Sequence, residues 1–217
     1  MKVFQKGLLL ALLTFLVVPG VILFINVDFS NSESLDVFIQ SKITKAEIPG
    51  ASCLLIRAGK VVSIHHAGYS NVEKKKEISD DTLFQVASVS KTVTGVALMQ
   101  LYEKGLIGLD EDINAYLPFD VIHPHFPDTP ITFRMLLTHT SGIANNWNVY
   151  EGFYTLKTGG GDSSVTLKDF IRGFLVEGGE WYDADSNFLP QSPGEIYHYS
   201  NPSFALLGYL VEVVADM

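Results

Sequence analysis

The chain has 217 residues, 47% of them hydrophobic and 18% charged, with a formal net charge of −9. That length suits one domain of ordinary size, or two small ones, behind an apolar start. The acidic balance and the single short basic run, Lys74-Lys75-Lys76, exclude a nucleic-acid-binding face. The lone Cys53 excludes an internal disulfide and a cysteine zinc cluster, and within residues 51–56 it reads as a small buried hydrophobe.

Lys2 and Lys6 precede an uncharged apolar run over residues 7–27. Positive residues followed by such a run are the signature of an export signal. This one is about long enough to span a bilayer, and flanking lysines favour the inner side. Residues 1–32 are therefore expected to be an uncleaved membrane anchor or, alternatively, a signal peptide. Ser30-Asn31-Ser32 offers only a weak cleavage site. Either way the remainder, residues 33–217, is expected to work outside the cytoplasm, membrane-anchored or released to the periplasm or medium.

Leu35, Phe38, Ile39 and Ile43 stand near helical spacing and predict a helix over 33–46, which Pro49-Gly50 breaks. Two apolar runs, 51–57 and 61–68, flank Ala58-Gly59-Lys60 and predict a β-hairpin. His65 and His66 point to opposite faces of the second strand, so they cannot form one site. A helix is predicted from Ser88 to Lys104, with Ser88 as cap, Val93, Val96, Ala97 and Leu101 as its apolar stripe, and Gly105 as its stop. Short helices are predicted over 132–138 and 166–176, with a loop over 145–164. A last helix is predicted with Asn201 as cap and Pro202 first, its apolar face made by Leu206, Leu207, Leu210, Val211 and Val214.

Ser88 and Lys91 form Ser-x-x-Lys. Residues three apart share a helix face, so the amine reaches the hydroxyl. At a helix start, free backbone N–H groups can stabilise an oxyanion and the positive end disfavours an ammonium, which promotes a neutral amine base. Serine needs such a neighbour to become a nucleophile. Tyr199-Ser200-Asn201 lies in extended chain before a helix, where residues two apart project to one side. A phenol and a carboxamide would then enter together, the first to relay a proton, the second to hold the lysine and a substrate carbonyl. Each motif alone is weak.

Together with their surroundings they become specific. Residues 84–95, F-Q-V-A-S-V-S-K-T-V-T-G, resemble the nucleophile segment of the serine β-lactamase and penicillin-binding-protein superfamily, in its class C β-lactamase-like branch of β-lactamases, D-Ala-D-Ala peptidases and esterases. Residues 106–117, with Asp110, Glu111 and Asp112, resemble its Gly-x-Leu-x-Leu-Asp-Asp turn. Residues 136–142 resemble its L-L-x-H-T-S-G segment, and residues 193–208 its P-G-x-x-x-x-Y-S-N helix entry. The resemblance implies an α/β fold plus an all-α region: an antiparallel sheet domain with a helical domain. It implies Ser88 as the acylated nucleophile, with its backbone N–H in the oxyanion hole. Lys91 would accept the serine proton, Tyr199 would act as base and relay, and Asn201 would orient lysine and substrate. His139 and Ser141 belong to a structural segment. No metal or organic cofactor is implied. The implied partners are a β-lactam, D-Ala-D-Ala-type amide or ester substrate, and the membrane through the N-terminal segment.

The family's third element, a Lys-Thr-Gly or His-x-Gly strand downstream of the tyrosine, is not found after Asn201. Lys157-Thr158-Gly159 precedes Tyr199 and reads as coincidence. The sequence is thus expected to be part of a fold incomplete at its C-terminus. A Ser-His-Asp hydrolase is disfavoured, for there is no Gly-x-Ser-x-Gly and no histidine in an obvious partner position. His123-Pro124-His125 is a weak metal signal. The alternative of another class is an inactive homologue that binds peptidoglycan-like peptides at the membrane.

Overall fold

The computed structural model describes residues 35–153 and 163–216, and the backbone of a short hairpin that pairs β1, Val17–Val18, antiparallel with β2, Val21–Ile22. The rest of the expected anchor over residues 7–27, and Lys157-Thr158-Gly159, lie outside the described residues. No helix among the described residues is long and apolar enough to cross a membrane. The chain divides into two compact units, Met1–Phe84 and Gln85–Met217.

In the first unit, helix α1 spans Leu35–Lys45 and buries Ile43. Strands β3, Gly50–Arg57, and β4, Lys60–Asn71, pair antiparallel as predicted. Their two-residue turn needs left-handed backbone at both positions, and Ala58 and Gly59 adopt it with φ of 49° and 72°. At the other end of the ladder Gly50 faces Gly68, and a Cβ on Gly68 would lie 2.3 Å from the Pro49 carbonyl oxygen. The lysine run forms the turn into a short third strand, β5, Lys76–Glu77, which pairs with β4; the sequence had indicated two strands.

The second unit is built on helices α2, Ser90–Glu103; α3, Phe133–Leu137; α4, Trp147–Tyr150; α5, Leu167–Leu175; and α6, Asn201–Val214. Helix α6 packs against α2, α3 and α5, with Leu206, Leu207 and Leu210 fully buried. Phe170, Ile171, Phe174 and Leu175 bring the apolar face of α5 to the same core. Three starts are capped by hydroxyls, which satisfy amides that no helical carbonyl can reach: Thr132 on Met135 N, Thr166 on Asp169 N, and Ser200 on Ser203 N. The acidic turn is tied to α3 by Arg134, whose guanidinium grips both carboxylate oxygens of Asp110, and by pairing of Asp112 with Thr132. Residues 147–153, read as loop from sequence, are α4 and a 3₁₀ turn.

Two expectations for α2 are corrected. Its buried stripe is Leu98 and Leu101, while Val93 and Val96 are exposed, because the packed face is the one that meets α6. Ser88 is not a cap. It sits inside a 3₁₀ turn, Ala87–Val89, that leads into the helix, and the cap position falls on Val89 without a side-chain bond.

Candidate active site

Lys91 lies seven residues before Leu98, two helical turns along the packed face of α2, so its half-buried side chain runs toward the start of α6. There its Nζ donates to Asn201 Oδ1 at 2.7 Å and to Ser88 Oγ at 3.4 Å. The Tyr199 hydroxyl meets the same Ser88 Oγ at 2.7 Å. The Lys91 ammonium nitrogen also stands 5.0 Å from the centre of the Tyr199 ring and 5.7 Å from that of Phe204. Two of the residues named from sequence, Lys91 and Tyr199, thus meet on the hydroxyl of a third, Ser88, and the fourth, Asn201, holds Lys91. Since Ser88 does not cap the helix, its oxygen is left for these partners.

The entry to α6 explains the other half. Ser200 is extended, at φ −133° and ψ 119°, and Tyr199 and Asn201 project to the same side of it. Ser200, not Asn201, is the cap, and Pro202 stands second in the helix rather than first. This one-residue correction matters, because a capping asparagine would have used its carboxamide on the helix instead of on Lys91.

Backbone conformation at the site is unusual. Ala87, directly before Ser88, has φ 43°, and His139 has φ 57°. Left-handed backbone costs a residue with a Cβ about 1–2 kcal/mol, and such strain is characteristic of functional turns.

Burial by itself would raise the Tyr199 phenol. The hydrogen-bonding reach of Lys91 and Ser88, with the Lys91 charge, outweighs it, and the phenol is held below its ordinary value. The site therefore makes it easier to remove the proton of a phenol that donates to the serine hydroxyl.

Two residues that sequence reasoning did not place in the site touch its backbone. His139 Nδ1 accepts from Ser200 N at 3.1 Å, and its ring lies 4.5 Å from that of Tyr199. Asn145 Nδ2 donates to the Tyr199 carbonyl at 2.7 Å, and its Oδ1 accepts from Asn201 N at 2.9 Å. His139 stood in a recognised motif. Nothing marked Asn145 except its type, a short amide in a loop, which commonly braces backbone. Ser141 Oγ bonds Ser203 Oγ at 2.9 Å in a buried hydroxyl cluster with Ser200.

The other histidines form no comparable site. His123 is buried, with neither ring nitrogen hydrogen-bonded among the described residues, and His125 pairs with Asp185 at 3.5 Å. Among the described residues no cluster could hold a metal ion. In the first unit His65 bonds Asp36 of α1, while His66, on the other face, bridges Ser52 Oγ at 3.0 Å and Asp80 Oδ1 at 2.9 Å. Sequence reasoning had found no such partners for a histidine. Ser52 stands within the β3–β4 ladder rather than at a helix start, so it lacks the row of free N–H groups that an oxyanion requires. The chain of bonds ties two strands and the loop after β5 together.

Comparison with known proteins agrees with this architecture. Residues 35–217 match the family described as Beta-lactamase. Protein flp of Staphylococcus aureus (strain MRSA252) is 30% identical over 184 residues, which are 85% of this chain and 34% of that protein. The chain thus spans about a third of the length of the curated relatives it matches. Among solved structures, EstCE1, a hydrolase with promiscuous acyltransferase activity, superposes with a TM-score of 0.64 at 28% identity, covering 82% of this chain and 46% of that one. The octameric penicillin-binding protein homologue from Pyrococcus abyssi gives 0.60 at 28% identity, covering 83% and 38%. The family match over residues 35–217, with these superpositions, shows that the chain belongs to the beta-lactamase family and carries part of the fold common to β-lactamases and penicillin-binding-protein homologues.

Proposed function

We propose that the protein is a serine hydrolase that works through an acyl-enzyme on Ser88, with an amide, ester or β-lactam carbonyl as substrate. The observation that carries this reading is the double contact on Ser88 Oγ, from Tyr199 at 2.7 Å and from Lys91 at 3.4 Å. With Tyr199 first ionised, the Ser88 proton moves to the phenolate oxygen as Oγ attacks the carbonyl carbon, and Lys91, expected from sequence to take that proton itself, instead balances the charge. Tyr199 then returns that proton to the departing amine or alkoxide, leaving Ser88 as an ester. A water molecule repeats the sequence: its proton goes to the same pair, its oxygen displaces Oγ, and the proton returns to Ser88. Asn201 keeps Lys91 aimed at the hydroxyl throughout. The backbone N–H of Ser88, at the mouth of α2, supplies one oxyanion donor. The kinship with a hydrolase and with penicillin-binding-protein homologues supports the reaction class and leaves the leaving group open among these substrates.

Covalent labelling tests the reading. The chain is treated with a fluorescent penicillin and with a fluorophosphonate, with Ser88→Ala as control. Stoichiometric label that disappears in Ser88→Ala is expected. No label on a soluble, cooperatively unfolding sample would refute catalysis by this chain and favour the binder.

A further inference from the structure

We propose that His139 and Asn145 are positioning residues that hold the Tyr199–Asn201 relay in register from two sides, and that His139 does so only as the neutral imidazole. The inference deepens the hydrolase reading and rests on it for its kinetic consequences.

The case lies in where the bonds land. The His139 carbonyl accepts from His198 N at 2.8 Å and its Nδ1 accepts from Ser200 N at 3.1 Å. Asn145 takes the Tyr199 carbonyl at 2.7 Å and Asn201 N at 2.9 Å. Each residue from 198 to 201 therefore has a main-chain group fixed by one of these two residues. Both members of the relay, the phenol and the carboxamide, hang from that stretch. A rotation there would swing the Tyr199 hydroxyl off Ser88 and the Asn201 amide off Lys91 together. The Asn145 carboxamide is engaged by backbone through both its nitrogen and its oxygen, so its role is to hold the stretch rather than to meet substrate. The segment from 139 to 145 is itself anchored, through Gly194 N on the Thr140 carbonyl at 2.7 Å, Leu189 N on the Gly142 carbonyl at 2.8 Å and Ala144 N on the Asn187 carbonyl at 2.8 Å.

The charge state of His139 follows from the direction of one bond. Ser200 N–H can only donate, so Nδ1 must carry no proton and the ring N–H sits on Nε2. A second proton would break that bond. It would also place a cation in the aromatic stack of Tyr199 and Phe204 that already faces Lys91. The groups around the imidazole are Lys91 from α2, Tyr197, His198 and Tyr199 from the extended segment, and Phe204 from α6. Burial, with the positive charge of Lys91 and His198, holds His139 below the usual imidazole value, in keeping with a neutral ring.

The experiment measures labelling rates of the full chain with the fluorophosphonate from about pH 4 to about pH 9, alongside NMR titration of isotope-labelled tyrosine with the Tyr199 signal assigned by Tyr199→Phe. Asn145→Ala is expected to lower the maximal labelling rate about a hundredfold, with little change in the half-saturating reagent concentration. It should also move the Tyr199 midpoint upward, as the phenol loses Lys91. His139→Asn, whose Oδ1 can stand where Nδ1 stood, should recover most of what His139→Ala loses and should lack the acid limb set by the imidazole. Thr166→Ala, which removes the cap of α5, controls for lost stability and should not move the Tyr199 midpoint. An unmoved Tyr199 midpoint in Asn145→Ala, or the same acid limb in His139→Asn as in the native chain, would overturn the proposal. Should the native chain take no label, the hydrolase reading falls, and the Tyr199 titration still decides whether the clamp exists.

Discussion

Asn187 offers a direct test of how the helical unit carries the relay. It is fully buried, and its Nδ2 donates to the Phe174 carbonyl at 2.8 Å and the Trp181 carbonyl at 2.7 Å, while its Oδ1 accepts from Asn146 Nδ2 at 2.8 Å. Phe174 lies in the last turn of α5, where carbonyls have no partner within the helix. Asn187→Ala removes three hydrogen bonds in one step and leaves that carbonyl facing a void. At roughly 1 kcal/mol net for each bond, the loss is about 3 kcal/mol, and the orphaned carbonyl adds to it. Asn187→Asp should do at least as much harm, because it replaces the two N–H donors by a carboxylate oxygen aimed at two carbonyls. Urea unfolding followed by the fluorescence of Trp147 and Trp181 measures this, provided the dependence on urea keeps the same slope. The Asn187 carbonyl also holds Ala144 N, next to Asn145, so labelling of Ser88 should slow as well. A stability loss under about 1 kcal/mol would show that water or neighbouring groups satisfy those carbonyls, and the argument from buried unpaired groups would fail here.

Ala87→Gly should stabilise the chain by about 1 kcal/mol, since the left-handed backbone before Ser88 strains a residue with a Cβ and not glycine; an unchanged or lower unfolding midpoint would contradict this. Acid should weaken the helical unit through His123, which burial, with the charge of His125, pushes down to about 4 from 6.5. The unfolded chain then binds the extra proton first. Stability is accordingly intact above about pH 6.5 and falls by about 3 kcal/mol as the pH drops toward 4. Thermal unfolding of His123→Leu should lack that part of the acid slope, and identical slopes in both chains would refute the assignment.

Where the sequence was legible, the deciding physics was local. The β3–β4 hairpin was legible because two apolar runs flank a short break that contains Gly59, a residue that accepts left-handed backbone without strain. The last helix showed itself through leucines at helical spacing that are all buried. The misreadings arose where tertiary packing decides. Helix α2 offers apolar residues around much of its circumference, so spacing alone pointed to Val93 and Val96. The face that packs is chosen by α6, more than a hundred residues away. The cap of α6 was misplaced by one residue because Ser200 and Asn201 are both good caps, and only the pull of Lys91 on the carboxamide separates them. Ser-x-x-Lys and Tyr-x-Asn could be read as a pair only through resemblance to a family. The contacts that seat the pair, from His139 and Asn145 to backbone, leave no periodic trace at all.

That difference bears on how the site comes to exist. The bond between Lys91 and Asn201 spans 110 residues, and that between Tyr199 and Ser88 spans 111. Contacts between exposed or half-buried polar groups, worth about 1 kcal/mol each, cannot by themselves offset closing loops of that length, which costs several kcal/mol. The closure must be driven by apolar burial, and the leucines of α6 that meet α2, α3 and α5 provide it. Each deeply buried leucine contributes about 2 kcal/mol, so a few such side chains outweigh the loop entropy. The relay then forms on a scaffold whose closure is already driven by packing. Its hydrogen bonds are free to be chosen for direction rather than strength, and strain at Ala87 and His139 can be tolerated. Substitutions in this α6 core should therefore remove folding and labelling together, whereas substitutions in the clamp should slow labelling in a chain that stays folded.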